Sequence, residues 1–309
     1  MKITTIILTF NNESTIEKTL QSISGDILIG DIGSKDSTLL ICEKYNTSII
    51  KIPFENDYSK AKNQLISRVK SDWILNLEPW ELLVKANFEE ADVANSYHLQ
   101  IISNGVISKS IRLWHKDKSL SFVNPVFEII DDNSNYLPSV VYSCPMNVTM
   151  NQMDIINKWK KEKPTDSAPY YYEACILLQE KRYDEFLSVA QKYLFLENVG
   201  VPVIMTKYYL AATQLYIKKD ASSSLRNILP CIATKPNMAE FWCLLGDIYY
   251  HKKIYKKANA FYKNAIFAGE RRLKEDTWPL EIEKYRNHPN EMIKSCENIL
   301  DKSNYIAAI

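Results

Sequence analysis

Apolar and polar positions alternate in short blocks over the first 150 residues and recur at helical spacing over the rest of the chain. In the first part, apolar runs at 3–10, 27–31, 48–52 and 73–77 predict strands, and amphipathic stretches at 14–24, 36–45 and 58–69 predict helices between them. The first helix opens on a Ser14-x-x-Glu17 capping box, and its stripe of Ile16, Leu20 and Ile23 suits a sheet face. Strand, helix and strand at this spacing predict a doubly wound sheet with a parallel first half. Strand-rich runs at 97–102, 110–114, 120–123 and 140–143 complete it.

Beyond residue 150 the helical pattern has an internal period. Residues 239–266 place Trp242, Leu245, Gly246, Tyr249, Tyr255, Ala258, Tyr262 and Ala265 in one unit. A shift of about 34 residues lands on Tyr208, Ala211, Ala212, Leu215, Ile228 and Cys231, with Pro236 closing the unit. A third unit carries Tyr170, Ala174, Leu177, Tyr183, Phe186, Ala190 and Tyr193, after an insertion around Gly200 and Pro202. This pattern resembles the tetratricopeptide repeat, in which small residues let two helices approach and each unit needs neighbours to bury its faces. The period decays after residue 266: Pro279 and Pro289 bracket one short helix, and 291–300 reads as a capping helix. The expected organisation is an α/β domain over 1–150 and helical repeats with terminal capping helices over 151–309.

At 309 residues and 46% hydrophobic content the chain is long enough for two cores. Its net charge of +1 conceals an asymmetry: residues 1–150 hold 14 Lys and Arg against 18 Asp and Glu, and the remainder holds 24 against 19. Cysteines 42, 144, 175, 231, 243 and 296 lack zinc-ligand spacing and read as reduced core residues. The first apolar run is too short for a signal-peptide core, and no stretch reaches 18 apolar residues, so a soluble, cytoplasmic protein is expected.

Ligands of open α/β sheets bind beyond the carboxyl ends of the strands. The segments that reach that edge here are Thr9-Phe10-Asn11-Asn12-Glu13 after the first strand and Asp31-Ile32-Gly33-Ser34-Lys35-Asp36 after the second. Asp57-Tyr58-Ser59-Lys60-Ala61-Lys62-Asn63 opens the third helix, and Asn76-Leu77-Glu78-Pro79-Trp80-Glu81 follows the fourth strand. Taken alone, an Asp at a strand end also serves as a cap for the following helix. Together and in order, these segments resemble the donor site of family 2 glycosyltransferases of the GT-A fold, some bacterial and phage members of which carry a tetratricopeptide extension.

That resemblance implies transfer of a sugar, with inversion, from a nucleoside-diphosphate sugar, a UDP-sugar first among them. It assigns donor contacts to Thr9, Asn11, Glu13, Asp31, Ser34, Asp36, Lys62 and Asn63, and a divalent manganese or magnesium ion to Glu78 and Glu81. The chain departs from the family at three places. Lys62 replaces an Arg, which keeps the charge without the bidentate fork; Trp80 stands where the metal motif has an acidic residue; Phe127 stands where the family has a His. Glu128 and His115 are the candidate bases for the acceptor proton, and Trp80 is a candidate sugar platform. Two functions stay open. One is an active transferase acting on a saccharide, a protein or peptide, or a modified base of phage DNA. The other is a catalytically impaired nucleotide-binding or scaffold protein that uses its repeats for a partner protein. Lys158, Lys160, Lys161, Lys163, Lys252, Lys253, Lys256 and Lys257 offer the repeats a cationic surface for an anionic acceptor, or serve solubility alone.

Overall fold

A computed structural model describes residues 1–143, 152–273 and 276–307, and the chain divides into two compact units, Met1–Ile155 and Ile156–Ile309. Cys144 lies outside the described residues.

In the first unit β1 (Ile3–Thr9), β2 (Asp26–Asp31), β3 (Thr47–Lys51) and β4 (Trp73–Asn76) are parallel. Joined to them are β5 (Glu81–Lys85), β6 (Ser96–Ser103), β7 (Val106–His115) and β8 (Asn135–Ser143), in the order β3-β2-β1-β4-β7-β6-β8-β5. The sheet becomes mixed at β7, which runs antiparallel to β4. Strand residues alternate between two cores. Ile7, Ile29 and Leu75 meet Ile16 and Leu20 of α1 (Ile16–Gln21) and Cys42 of α2 (Thr38–Cys42), whereas Ile6, Leu8, Leu28 and Ile74 meet Ala61 and Leu65 of α3 (Tyr58–Ile66). Burial on both faces explains why these strands read as unbroken apolar runs. Trp73 and Trp114 are core residues, at 5% and 0% exposure.

Within this unit the strands and the first helix depart from the sequence expectation in four places. The capping box does not form: α1 starts at Ile16, and the carbonyl of Asn12 accepts the N–H groups of Thr15 and Ile16. Residues 120–123 are not a strand. Val123 bridges Ile129 alone, and the chain then turns through Asn124 at φ 73°. β5 has no sequence counterpart among the expected strands, because a five-residue strand ending in Lys85 carries little periodic signal. β8 begins at Asn135 rather than 140; Pro138 hides its first half, and the β6–β8 register shifts between His98 and Gln100 beside that proline.

In the second unit, after α4 (Gln152–Glu162), helices pair as α5 (Ala168–Gln179) with α6 (Tyr183–Leu196), α7 (Val201–Tyr216) with α8 (Ala221–Thr234), and α9 (Ala239–His251) with α10 (Tyr255–Glu270). α11 (Asn287–Ala307) packs on α10 and is longer than the expected cap, because Pro289 falls in its first turn, where a missing N–H costs nothing. The segment between Pro279 and Pro289 holds a single 3₁₀ turn over Ile282–Tyr285. Gly246 sets the α9–α10 approach: a Cβ there would lie 2.5 Å from the Tyr262 ring. Among the described residues of this unit Asp247, Glu240 and the side chain of Asp276 are buried, the last paired with Lys235 at 2.9 Å. Asp247 accepts from the hydroxyls of Tyr216 and Tyr262, the latter at 2.7 Å, and Glu240 accepts from Tyr285 Oη at 2.6 Å and the Glu281 N–H at 2.8 Å. Of the lysine surface, Lys160 is half-buried against Glu173 and the other seven are exposed. No helix among the described residues is long and apolar enough to cross a membrane.

Candidate active site

The loops after β1 and β2 are fastened to each other by side chains that bond backbone. Asn11 N–H donates to Ser34 Oγ at 3.0 Å, Lys35 N–H to Asn11 Oδ1 at 2.8 Å, Glu13 N–H to Asp36 Oδ2 at 3.1 Å, and Ser37 N–H to Glu13 Oε2 at 2.9 Å. Asp31, 3% exposed, accepts the N–H groups of Gly33 and Ser34 at 3.2 and 3.0 Å. Asp36 accepts from Thr38 N–H and Oγ1, and those bonds together with the Glu13 N–H outweigh burial and hold its carboxyl below the ordinary value. Short polar side chains at strand ends thus build a rigid rim rather than a set of free ligands.

α3 does the same for a third loop. Asp57 is its N-cap, accepting from Lys60 N–H at 2.9 Å. The amide of Asn63 brackets Phe122, donating to its carbonyl at 2.9 Å and accepting its N–H at 2.8 Å. Ser59 donates to the carbonyl of Asn124, and Tyr58 N–H to that of Pro125 at 2.8 Å. These bonds hold 122–128 in place, including Phe127 at φ 52°, a left-handed conformation that costs a bulky residue about 1–3 kcal/mol.

Held this way, Glu128 meets the charged centre of the unit. Lys62, 2% exposed, places Nζ 2.5 Å from Glu78 Oε1 and 2.6 Å from Glu128 Oε1. Arg112 of β7 reaches Glu78 at 3.3 Å and Glu81 at 2.8 Å, and Glu81 Oε2 accepts the Glu78 N–H at 2.9 Å. Burial alone would lift the Glu78 carboxyl, yet Lys62 and Arg112 outweigh it and set the pKa at about 2. Burial prevails for Glu81, whose carboxyl is raised in spite of Arg112. Lys62 runs the other way: burial disfavours its charge, and Glu128 and Glu78 raise its pKa nonetheless. Three carboxylates thus face two cations. Beside them, Asn76 Oδ1 and Arg112 Nε are buried with no hydrogen-bond partner among the described residues.

A cavity of about 260 Å³ opens here, at the carboxyl ends of β1 and β4. Thr9, Lys62, Glu78 and Glu128 border it, with Trp80 and the apolar walls Phe10, Ile32, Tyr58 and Val126. Asn11, Glu13, Asp31, Ser34 and Asp36 do not line it; they form the fastened loops. Asn63 is engaged with Phe122, and Glu81 is held on Arg112. His115 is not brought to the cavity. It pairs with Trp73 at the amino end of β4, whereas Glu78 follows the carboxyl end, and its ring packs edge-on to Trp73 at 5.3 Å. The sequence-based choice of His115 as a base is therefore corrected by strand direction.

Arg112 is the functional residue that sequence reasoning left without a role. Its signal was present: a guanidinium between Ile111 and Leu113 in a buried strand requires carboxylate partners.

The arrangement does not fit the metal expected from the sequence. Among the described residues no group of three or more His, Cys, Asp or Glu side chains is placed to hold an ion. Glu78 Oε1 already accepts from Lys62, Arg112 and Asn76, the last at 3.4 Å, and both Glu81 oxygens are engaged. The orphaned Asn76 oxygen adds one neutral donor beside these occupied carboxylates.

Residues 4–78 match the model of glycosyl transferase family 2. The matched segment runs from β1 through β4 to Glu78, so it contains both fastened loops, Lys62 and the first acidic residue of the cavity. A TPR repeat-containing protein of Synechococcus elongatus is 25% identical over 118 residues, 35% of this chain. The match spans 29% of that relative's length. Among solved structures, MamA from Desulfovibrio magneticus is 20% identical, with 50% of this chain and 84% of that one covered at a TM-score of 0.38. Glucosyl-3-phosphoglycerate synthase of Mycobacterium tuberculosis, solved with Mn2+, UDP and glucosyl-3-phosphoglycerate, is 17% identical, with 26% and 34% covered at a TM-score of 0.25. Residues 4–78 thus place the glycosyl transferase family 2 segment on the parallel half of a mixed sheet, which is followed in sequence by paired helices.

Proposed function

We propose that the first unit transfers a sugar from a nucleoside-diphosphate sugar, with inversion, to an acceptor that enters the cavity beside Trp80 and Glu128. One observation carries this reading: the segment matching glycosyl transferase family 2 ends at Glu78, on the wall of a cavity where Thr9, Lys62 and Glu128 also converge. In this scheme the fastened loops after β1 and β2 receive the nucleoside, Lys62 meets the diphosphate, and Trp80 stacks on a sugar ring. Glu128 takes the acceptor proton as the hydroxyl oxygen attacks the anomeric carbon and the nucleoside diphosphate departs. The donor is a UDP-sugar in the first instance; a saccharide, a protein or peptide, and a modified base of phage DNA are the acceptor classes, and the repeats are a surface for a partner protein. The test is donor turnover. UDP-sugar hydrolysis should fall at least about 100-fold in Glu128→Gln while calorimetry still detects UDP; equal turnover in both proteins would remove Glu128 from the mechanism.

A second reading has its own support. Glu128 sits 2.6 Å from an ammonium that must release it before it can accept a proton, which favours a nucleotide-binding scaffold with impaired transfer. UDP binding without turnover of any UDP-sugar would select it.

A further inference from the structure

The cavity is built around a lysine at the place where a metal-dependent transferase needs an ion. Glu78 approaches from just beyond β4 and Glu128 from the 122–128 loop, and the point on which they converge is Lys62 Nζ, at 2.5 and 2.6 Å. An ion held by the same two carboxylates would need the space the ammonium fills, and a second cation there would be repelled by it. Arg112 occupies Glu78 and Glu81 from the other side.

We infer that Lys62 is the resident cation of this site, standing in place of a divalent ion, so that the cavity takes its anionic ligand without metal. Among the described residues that border the cavity it is the one Lys or Arg. Charge balance adds a consequence. With three carboxylates against two cations, an entering phosphate competes with Glu78 and Glu128 for the ammonium. Glu78 also makes an ion pair with Arg112, whereas among the described residues the ion pair of Glu128 is with Lys62, so Glu128 is the group that a phosphate displaces. The nucleotide part of this inference rests on the donor-site reading; the metal part does not.

The experiment titrates full-length protein into Mn2+ and follows the electron paramagnetic resonance signal of the free ion, with and without UDP. The wild type should leave the signal unchanged without UDP, and with UDP should not lower it below that of Mn2+ and UDP alone. Lys62→Met, which leaves Glu78 and Glu128 facing each other, should remove about one Mn2+ per chain. Should Lys62→Met fail to fold, Glu128→Gln serves as the second variant: without added metal it should bind UDP about tenfold more tightly than wild type, because the competing carboxylate is gone. One Mn2+ bound per wild-type chain and lost in Glu78→Gln would overturn the inference, as would UDP affinity that rises with Mn2+ or is unchanged in Glu128→Gln. Failure of UDP to bind under any condition would instead sink the donor-site reading, and the nucleotide-free Mn2+ titration would still decide the question of the ion.

Discussion

The acidic groups at the cavity of the sheet unit and two of the most hidden acids of the helical unit are satisfied by opposite means. In the sheet unit Glu78, Glu81 and Glu128 are balanced by two cations and converge on a cavity. In the helical unit Asp247 accepts from two tyrosine hydroxyls, with His288 at 3.4 Å, and Glu240 from a hydroxyl and a backbone N–H, with Arg272 at 3.6 Å; Asp276, by contrast, is ion-paired with Lys235 at 2.9 Å. Neutral donors quench a carboxylate locally and brace helices. A cluster of full charges with a surplus of one sign is costly to assemble and leaves a field for a ligand to answer. The contrast separates a site from scaffolding where burial alone does not: Asp247, with 7% of its side chain exposed, is more hidden than Glu78 and Glu128, at 17% and 13%.

The largest effect should therefore come from Lys62. Lys62→Met strands two carboxylates and should cost about 3–5 kcal/mol of stability, seen as a large drop in urea midpoint; a loss below about 1 kcal/mol would mean that the pair is solvated and the contrast false. Gly246→Ala comes next. The added methyl lies 2.5 Å from the Tyr262 ring, so overpacking of about 1–3 kcal/mol should outweigh the gain in helix propensity of about 1 kcal/mol, measured by thermal unfolding at 222 nm. A stabilised variant would show that α9 and α10 can separate freely.

The repeats were legible in the sequence because their packing depends on spacing: Gly246, Ala258, Tyr262 and Ala265 are contact residues at the positions their period assigns. Of the parallel strands, β1, β2 and β4 were legible because they are buried on both faces. What escaped depended on direction and on partners far apart in sequence. Arg112 and Glu81 meet across 31 residues, a pairing that no local pattern encodes. His115 looked like an active-site base because it closes a strand, but the antiparallel entry of β7 puts that end at the far edge of the sheet. The loop residues Asp31, Ser34 and Asp36 were recognisable by type, but nothing local announces that their side chains are spent on the backbone N–H groups of Ser34, Asn11 and Thr38.

The pH dependence should split the units. Glu78, with its pKa near 2 against an ordinary 4.5, contributes stability that is present above pH 4.5 and lost as the pH falls toward 2. Glu240 has the opposite sign. Burial lifts its pKa to about 7 against the opposing Tyr285, Glu281 and Arg272 contacts, so its contribution is complete below pH 4.5 and lost as the pH rises through 7. Hydrogen exchange should then show β4 amides losing protection in acid and α9 amides losing it between pH 5 and 8, the latter trend flattened in Glu240→Gln. Parallel trends in both elements would erase the distinction.

The smallest effect tests the same comparison with the residue type held constant. Lys158 pairs with Glu162 at 3.7 Å on the surface of α4, with 62% and 61% of the two side chains exposed. Water screens that pair and each side chain loses rotamer freedom in forming it, so Lys158→Ala should change stability by no more than about 0.5 kcal/mol, in a salt-sensitive way. Lys62 and Lys158 carry the same charge and the same kind of partner; what differs is that Lys62 is 2% exposed and shared between carboxylates from two segments. If urea midpoints of Lys158→Ala and Lys62→Met moved by similar amounts, burial would not be what sets the value of a lysine here, and the reason for treating Lys62 as the cation of a site would be gone.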